Sequence, residues 1–281
     1  MVSKQEIIAA EIINRIHIQD KNAGGLFSMT TGGQGVGKTS SMLAFAEHTN
    51  MSYPKQKVFW SECYNAPLQW FKIKDPKKWN ILIKSGQNII FRDRDKHLEE
   101  IKFNVTYFDD FDDLWKKAKP GKINPIFFGD RFTWMEFIAY LRGVGEWVHV
   151  FIEELGEITP GTSRDELWRR IQDFSTVAKD IRKCMMNVHC NTQTLMDIDY
   201  RVRQKIMCYF FLPGAKVSRS TTRVTQRAVD NLRRSPAGNS FYVDLMGQFG
   251  VGKFVDIYAP VKGYHIDAHV IEDGDKRTDT K

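Results

Sequence analysis

The sequence has few cysteines, no long apolar run and, between residues 214 and 240, no glutamate. Its four cysteines, Cys63, Cys184, Cys190 and Cys208, include no pair at C-x-x-C spacing, which speaks against a zinc site or a redox dithiol. Cys190 and Cys208 lie in or beside apolar runs and read as buried thiols, at home in a reducing cytosol. No apolar stretch approaches the roughly 18–20 residues that cross a bilayer, and the start of the chain lacks a signal-peptide pattern. The expectation is a soluble, cytoplasmic protein with no membrane span. No internal repeat is evident. What remains is a globular composition, 42% hydrophobic and 27% charged in 281 residues, enough for one large α/β domain with an insertion. The net charge of +7 leans weakly toward polyanionic partners.

The strongest signal follows the β-prone run Leu26–Thr31. Gly32-Gly33-Gln34-Gly35-Val36-Gly37-Lys38-Thr39-Ser40 fits G-x-x-x-x-G-K-[ST], a phosphate-binding loop between a strand and a helix. Gly32, Gly35 and Gly37 suit a loop whose backbone N–H groups must close on phosphate oxygens, where a Cβ would obstruct or φ must be positive. The helix start adds free donors and partial positive charge. Lys38 can reach the outer phosphates, and the Thr39 hydroxyl can ligate Mg²⁺.

A second signal is Trp147-Val148-His149-Val150-Phe151-Ile152-Glu153-Glu154. The apolar run suits a parallel strand buried on both faces. It ends in two carboxylates at the sheet edge where open α/β folds bind ligands. Glu153 is assigned to the metal and Glu154 to the attacking water. An acid at Glu153 where Asp is usual is a departure that leaves their roles exchangeable. A carboxylate directly after the metal acid favours hydrolysis over phosphoryl transfer to a small-molecule hydroxyl. The next buried strand ends in Thr192-Gln193, a polar pair placed to reach the γ-phosphate or the water.

Around these, residues 4–17 form an amphipathic helix or arm. Residues 57–105 are a variable segment in which Trp60, Trp70, Phe71 and Trp79 interleave with lysines; core aromatics beside solvated lysines are the plainer reading, nucleic-acid stacking the sharper one. Ile81–Ile83 and Asn88–Phe91 suggest a hairpin. Asp109, Asp110, Asp112 and Asp113 read as a helix start rather than a metal cluster. Ser163 with Glu166 suggests a capping box. Lys216, Arg219, Arg223, Arg227, Arg233 and Arg234 make 214–240 the most basic region, a solvated loop or a polyanion contact. Gly247–Lys253 echoes a phosphate loop but precedes a strand and is rejected. Closing strands are expected at Phe241–Leu245 and Lys253–Tyr258. The boundaries are a 1–22 arm, a 23–270 nucleotide-binding domain and a polar 271–281 tail.

The run from Phe151-Ile152-Glu153-Glu154 through Asp180-Ile181-Arg182-Lys183 to Thr192-Gln193 and Ile198-Asp199-Tyr200-Arg201-Val202-Arg203 resembles the HerA/FtsK superfamily of ring ATPases. With the phosphate loop, the likeness spans about residues 24–212, residues 57–130 matching in outline only. The resemblance implies a RecA-like α/β fold with a mostly parallel sheet flanked by helices, here with a small inserted β-rich segment. It implies a homo-oligomeric, usually hexameric ring that uses ATP and Mg²⁺ to move double-stranded DNA. By motif position Gln193 is the polar sensor, and Arg182 is the arginine acting between subunits, with Arg169, Arg170, Arg201 and Arg203 as further candidates. The short chain is similar to packaging-type members of viruses and plasmids, with a capsid portal or transfer-complex protein as partner and virion association during assembly. A nucleotide-switched, Zot-like assembly ATPase that moves no DNA is the alternative.

Overall fold

Short apolar runs separated by glycine- and proline-containing turns become a sheet with helices on both faces. The computed structural model describes residues 24–61, 68–73, 76–93, 104–128, 130–217, 222–233, 235, 239–243, 249–253 and 264–272. In chain order the strands are β1 (Phe27–Thr31), β2 (Lys57–Ser61), β3 (Leu68–Ile73), β4 (Asn80–Lys84), β5 (Gln87–Asp93), β6 (Asn104–Phe108) and β7 (Ile123–Phe127). They continue with β8 (Val148–Ile152), β9 (Met186–Thr192), β10 (Cys208–Phe211), β11 (Asn239–Val243), β12 (Phe249–Lys253) and β13 (Tyr264–Glu272). The helices are α1 (Lys38–Ser52), α2 (Phe111–Lys117), α3 (Arg131–Val144), α4 (Leu155–Ile158), α5 (Asp165–Asp180), α6 (Tyr200–Arg203) and α7 (Arg223–Leu232).

Eight strands pair in parallel in the order β10-β1-β9-β8-β2-β7-β4-β6, and β11 and β12 extend the β10 edge antiparallel. The strand order explains the apolar runs. In β2, Val58 and Trp60 pack toward α1 while Phe59 joins α3 on the other face. In β8, Phe151 faces the α1 side and Val148, Val150 and Ile152 face the α3–α5 side. A strand covered on both faces has no solvent side to be polar. Trp60 and Trp79 are 1% and 3% exposed, so these two of the interleaved aromatics are core. Cys190 and Cys208 are buried thiols.

Several expectations change. Ile81–Ile83 and Asn88–Phe91 do not form a hairpin. The chain turns at Ser85-Gly86, but β4 is hydrogen-bonded to β6 and β7, and β5 pairs with β13 in a three-stranded antiparallel sheet β3-β13-β5. The reason is burial: Ile81, Leu82 and Ile83 are all inaccessible, and parallel neighbours occupy both edges of β4. The β-rich insertion is therefore completed by a strand from residues 264–272, which also claims the first residues of the expected tail. Ser163 does not cap α5; Arg164 holds the cap position without a side-chain bond, so no capping box forms there. Arg223–Leu232 is an amphipathic helix with Thr222 as its cap rather than a loop. The acids at 109–113 start α2, with Asp110 Oδ1 accepting the Asp113 N–H at 2.8 Å. The rejected second glycine loop is largely β12. The helix expected at 4–17 and most of Lys253–Tyr258 lie outside the described residues.

At the N-terminal end of the strands a buried amide ties three elements together. Asn124 Nδ2 donates to the carbonyls of Val58, Lys119 and Lys122 at 3.0–3.1 Å. Its Oδ1 accepts from the Lys119 N–H at 2.8 Å and from Asn80 Nδ2 at 2.9 Å. Asn124→Ala is expected to cost about 3 kcal/mol, because each buried polar group left unmet costs roughly 1–3 kcal/mol. Urea unfolding measures this, and a loss under about 1 kcal/mol at unchanged m-value refutes the account.

Candidate functional site

The phosphate-type loop leaves β1 at Gly32 and enters α1 at Lys38. Gly35 and Gly37 have φ of 72° and 97°, and nothing stands within 4 Å of where a Cβ would be on either. Gly32 is glycine for another reason: a Cβ there would meet Leu212 Cβ at 2.8 Å and Val36 Cγ2 at 2.9 Å. The loop leans on the turn after β10, where the Gly33 N–H donates to Pro213 O at 2.9 Å. Helix α1 begins with Gly37 as cap, no side-chain cap bond and no acid in its first turn. Its N-terminal N–H groups stay available to an anion. Gln34 and Gly35 are exposed, and Ser40 is half-buried in the first turn of α1.

Lys38 folds back over the loop, Nζ donating to the carbonyls of Gly32 at 3.1 Å and Gly33 at 2.9 Å. Burial pulls its pKa below the usual lysine range, with Glu154 and Glu153 opposing. The Thr39 hydroxyl donates to Glu153 Oε1. Burial lifts the Glu153 carboxyl to about 7; the bond from Thr39 and the Asn191 amide oppose this, and the Glu154 charge adds to it. The Glu153 N–H donates to Ser61 Oγ at 3.2 Å. A hydroxyl and a carboxylate meeting at one point beside an exposed anion-seeking loop are a hard-oxygen donor set, which fits Mg²⁺.

Glu154 follows in a left-handed conformation, φ 49° and ψ 63°, which costs a residue with a Cβ about 1–2 kcal/mol. Its N–H donates to Asn191 Oδ1 at 2.7 Å. Burial raises its carboxyl, with Asp197 and Glu157 adding to this and Lys38 and the Gln193 main-chain N–H opposing. The pairing β1-β9-β8 sets this geometry: Thr31 lies beside Thr192, and Ile152 beside Cys190. Three consecutive strand ends therefore present the loop, the Gln193 turn and the acid pair along one edge.

Lys38, Thr39, Glu153 and Glu154 thus come together. Gln193 also reaches the site, but through its peptide: Thr31 Oγ1 donates to its carbonyl at 3.3 Å, its N–H faces Glu154, and its side chain is exposed. Arg182 does not reach it. It is exposed in the 3₁₀ turn Ile181–Lys183, with its carbonyl packed against Gly24 where β1 begins, at the opposite edge of the sheet. Arg201 is held by Asp199 at 2.8 and 2.9 Å and lies over Trp168. Arg203 donates to Leu195 O at 3.0 Å, and Arg170 pairs with Glu136 at 2.9 Å. Arg169 and Arg182 are exposed and have no ion pair among the described residues. Sequence reasoning passed over Asn191, Ser61 and Thr31. Their signal was a polar side chain closing an apolar strand.

No protein-family model matches this sequence, and no curated protein matches it. Among solved structures, the genome packaging NTPase B204 from Sulfolobus turreted icosahedral virus 2, in complex with ATP-gammaS, is similar with a TM-score of 0.51 at 11% identity, over 82% of this chain and 97% of that one. The same protein with AMPPCP gives 0.48 at 10% identity, over 82% and 98%. The pCW3 conjugation coupling protein TcpA with ATPgS gives 0.42 at 13%, over 87% of this chain and 64% of that one. The last two are too loose to bear on the fold. The first establishes it: an α/β fold of the RecA-like P-loop kind, with a parallel eight-stranded sheet flanked by helices.

Proposed function

We propose that this chain is an ATP hydrolase that works as a subunit of a ring and moves double-stranded DNA, in viral genome packaging or plasmid transfer. The meeting of Thr39 with Glu153, directly beside Glu154, carries the nucleotide half of this reading. Gly32 to Ser40 hold the phosphates. Lys38 exchanges the carbonyls of Gly32 and Gly33 for the outer phosphate oxygens. Thr39 and Glu153 would hold Mg²⁺, which would offset phosphate charge. Glu154 orients the attacking water and accepts its proton. Gln193 senses the outer phosphate from the neighbouring strand end, and Arg182 of an adjacent copy supplies positive charge.

Support for a ring comes from the arginines and from an exposed patch. Arg170, Arg201 and Arg203 are engaged within their own chain, which leaves Arg169 and Arg182 for a neighbour. Trp168, Met196 and Tyr200 are 50%, 63% and 59% exposed, and Arg201 and Arg203 stack on two of them. Aromatic, methionine and arginine side chains together are the composition of interface hot spots. The DNA half is supported by the net charge of +7, by the exposed Arg223, Arg227 and Arg233 on and after α7, and by the fold likeness to a packaging NTPase.

Three measurements test the reading. Glu154→Gln is expected to lower ATP turnover at least about a hundredfold while an ATP analogue still binds, since a positioned general base contributes roughly 10²–10⁴-fold; retained turnover removes Glu154 from the role. Duplex DNA is expected to stimulate hydrolysis, more weakly as salt rises. A rate flat across added DNA points instead to a nucleotide-switched assembly protein. The third concerns Glu153, whose carboxyl has its pKa raised from 4.5 to about 7. Between those values the unfolded chain has released this proton and the folded chain still holds it, so unfolding free energy falls as pH rises. In nucleotide- and metal-free protein, native stability relative to Glu153→Gln should decline from pH 4.5 to 7 and then level. A flat difference in thermal midpoints across that range contradicts it.

A further inference from the structure

Asn191 is 1% exposed in β9, the strand between the phosphate loop's β1 and the acid pair's β8. A buried amide is costly unless hydrogen-bonded; its Oδ1 accepts the Glu154 N–H at 2.7 Å, and the amide also bears on the neighbouring Glu153 carboxyl. That N–H belongs to a residue in an unfavourable backbone conformation, φ 49° and ψ 63°. Left-handed residues other than glycine persist where the surroundings over-determine them, often at working sites. Glu154 also stands at the cap position of the four-residue helix α4 yet makes no side-chain cap bond. Its carboxylate is therefore not spent on the helix; it faces the Gln193 N–H, and its main chain is fixed separately. The fixing comes from outside its own segment, since 37 residues separate the two partners.

We propose that Asn191 is a positioning residue: by holding the Glu154 N–H, its side chain keeps Glu154 in the left-handed conformation that sets where the carboxylate stands relative to Lys38 and Thr39. The inference rests on the reading of Glu154 as the residue that handles the attacking water. It differs from a packing role in what it disturbs. Loss of the amide frees the Glu154 backbone to relax toward an ordinary conformation, which swings the carboxylate away while the loop and Lys38 stay in place. Nucleotide affinity should then survive and turnover should not.

The test compares the full-length native protein, Asn191→Ala, Glu154→Gln and the double variant, measuring ATP turnover, affinity for an ATP analogue and thermal midpoint. Asn191→Ala is expected to lower kcat at least about tenfold, the effect of roughly 1.4 kcal/mol in the barrier, with analogue affinity within about twofold of native. Because Asn191 acts through Glu154, the double variant should be no slower than Glu154→Gln alone. Should the alanine variant not fold, Asn191→Ser, whose hydroxyl is too short to reach the Glu154 N–H, carries the same comparison. Near-native kcat in a folded Asn191 variant, while Glu154→Gln is inactive, overturns this proposal and leaves the hydrolase reading standing. An additive loss in the double variant also overturns it. A native protein without turnover removes both.

Discussion

The contact between the Thr39 hydroxyl and the Glu153 carboxylate joins residues 114 apart in sequence, and the strand order that makes it also places the other groups of the site. It exists because β9 is inserted between β1 and β8, all three parallel, so that their C-terminal ends form one edge. The strands are held in that order by burial on both faces, which leaves no strand free to slip or turn outward. Two carboxyls and one amine are thereby brought into a poorly solvated edge. Burial pushes all three toward their neutral forms, and the attraction between Lys38 and the two acids only partly restores the charges. Such a balance favours a ligand that brings both anionic and cationic groups.

The same edge divides rigid parts from adjustable ones. Gly32 and Gly33 are wedged against Leu212 and Pro213, so the base of the loop is fixed to the turn after β10. Its tip, Gln34 and Gly35, is exposed with open space around it. Lys38 rests on two loop carbonyls that it can exchange for better acceptors at little cost, since a hydrogen bond traded for another changes energy modestly. Ser61 and Asn191 hold the main chain of Glu153 and Glu154, respectively, from the strands on either side. The main chains of the acids are thus held from both sides, while the Thr39 hydroxyl meets one carboxylate and the Gln193 N–H the other.

The five arginines differ in what they touch within their own chain. Five stood at positions consistent with a function between subunits. Three have settled on partners of their own chain: Arg201 on Asp199 and Trp168, Arg203 on Leu195 O, and Arg170 on Glu136. The exposed Arg170–Glu136 pair contributes little to stability, but each of the three contacts occupies its guanidinium. Arg182 lies at the far edge of the sheet from its own loop.

The sequence by itself determined the local chemistry. The glycine spacing of 32–37, the Lys38-Thr39 pair and an apolar strand ending in Glu153-Glu154 were legible, because each depends on contacts within a few residues. The two-faced burial of the sheet was legible for the same reason, as unbroken apolar runs. Tertiary structure alone decided what pairs with what. Ile81–Ile83 and Asn88–Phe91 have the local pattern of a hairpin, yet both edges of β4 are taken by strands that the turn cannot foresee. Ser163 and Glu166 have a capping-box spacing, but the backbone places Arg164 at the cap. Gln193 reads from the sequence as a polar side chain, and it is its peptide that meets Thr31 and Glu154. Asn191 was invisible because its role is a single bond across two strands, and strand order is set by global burial rather than by any neighbouring residue.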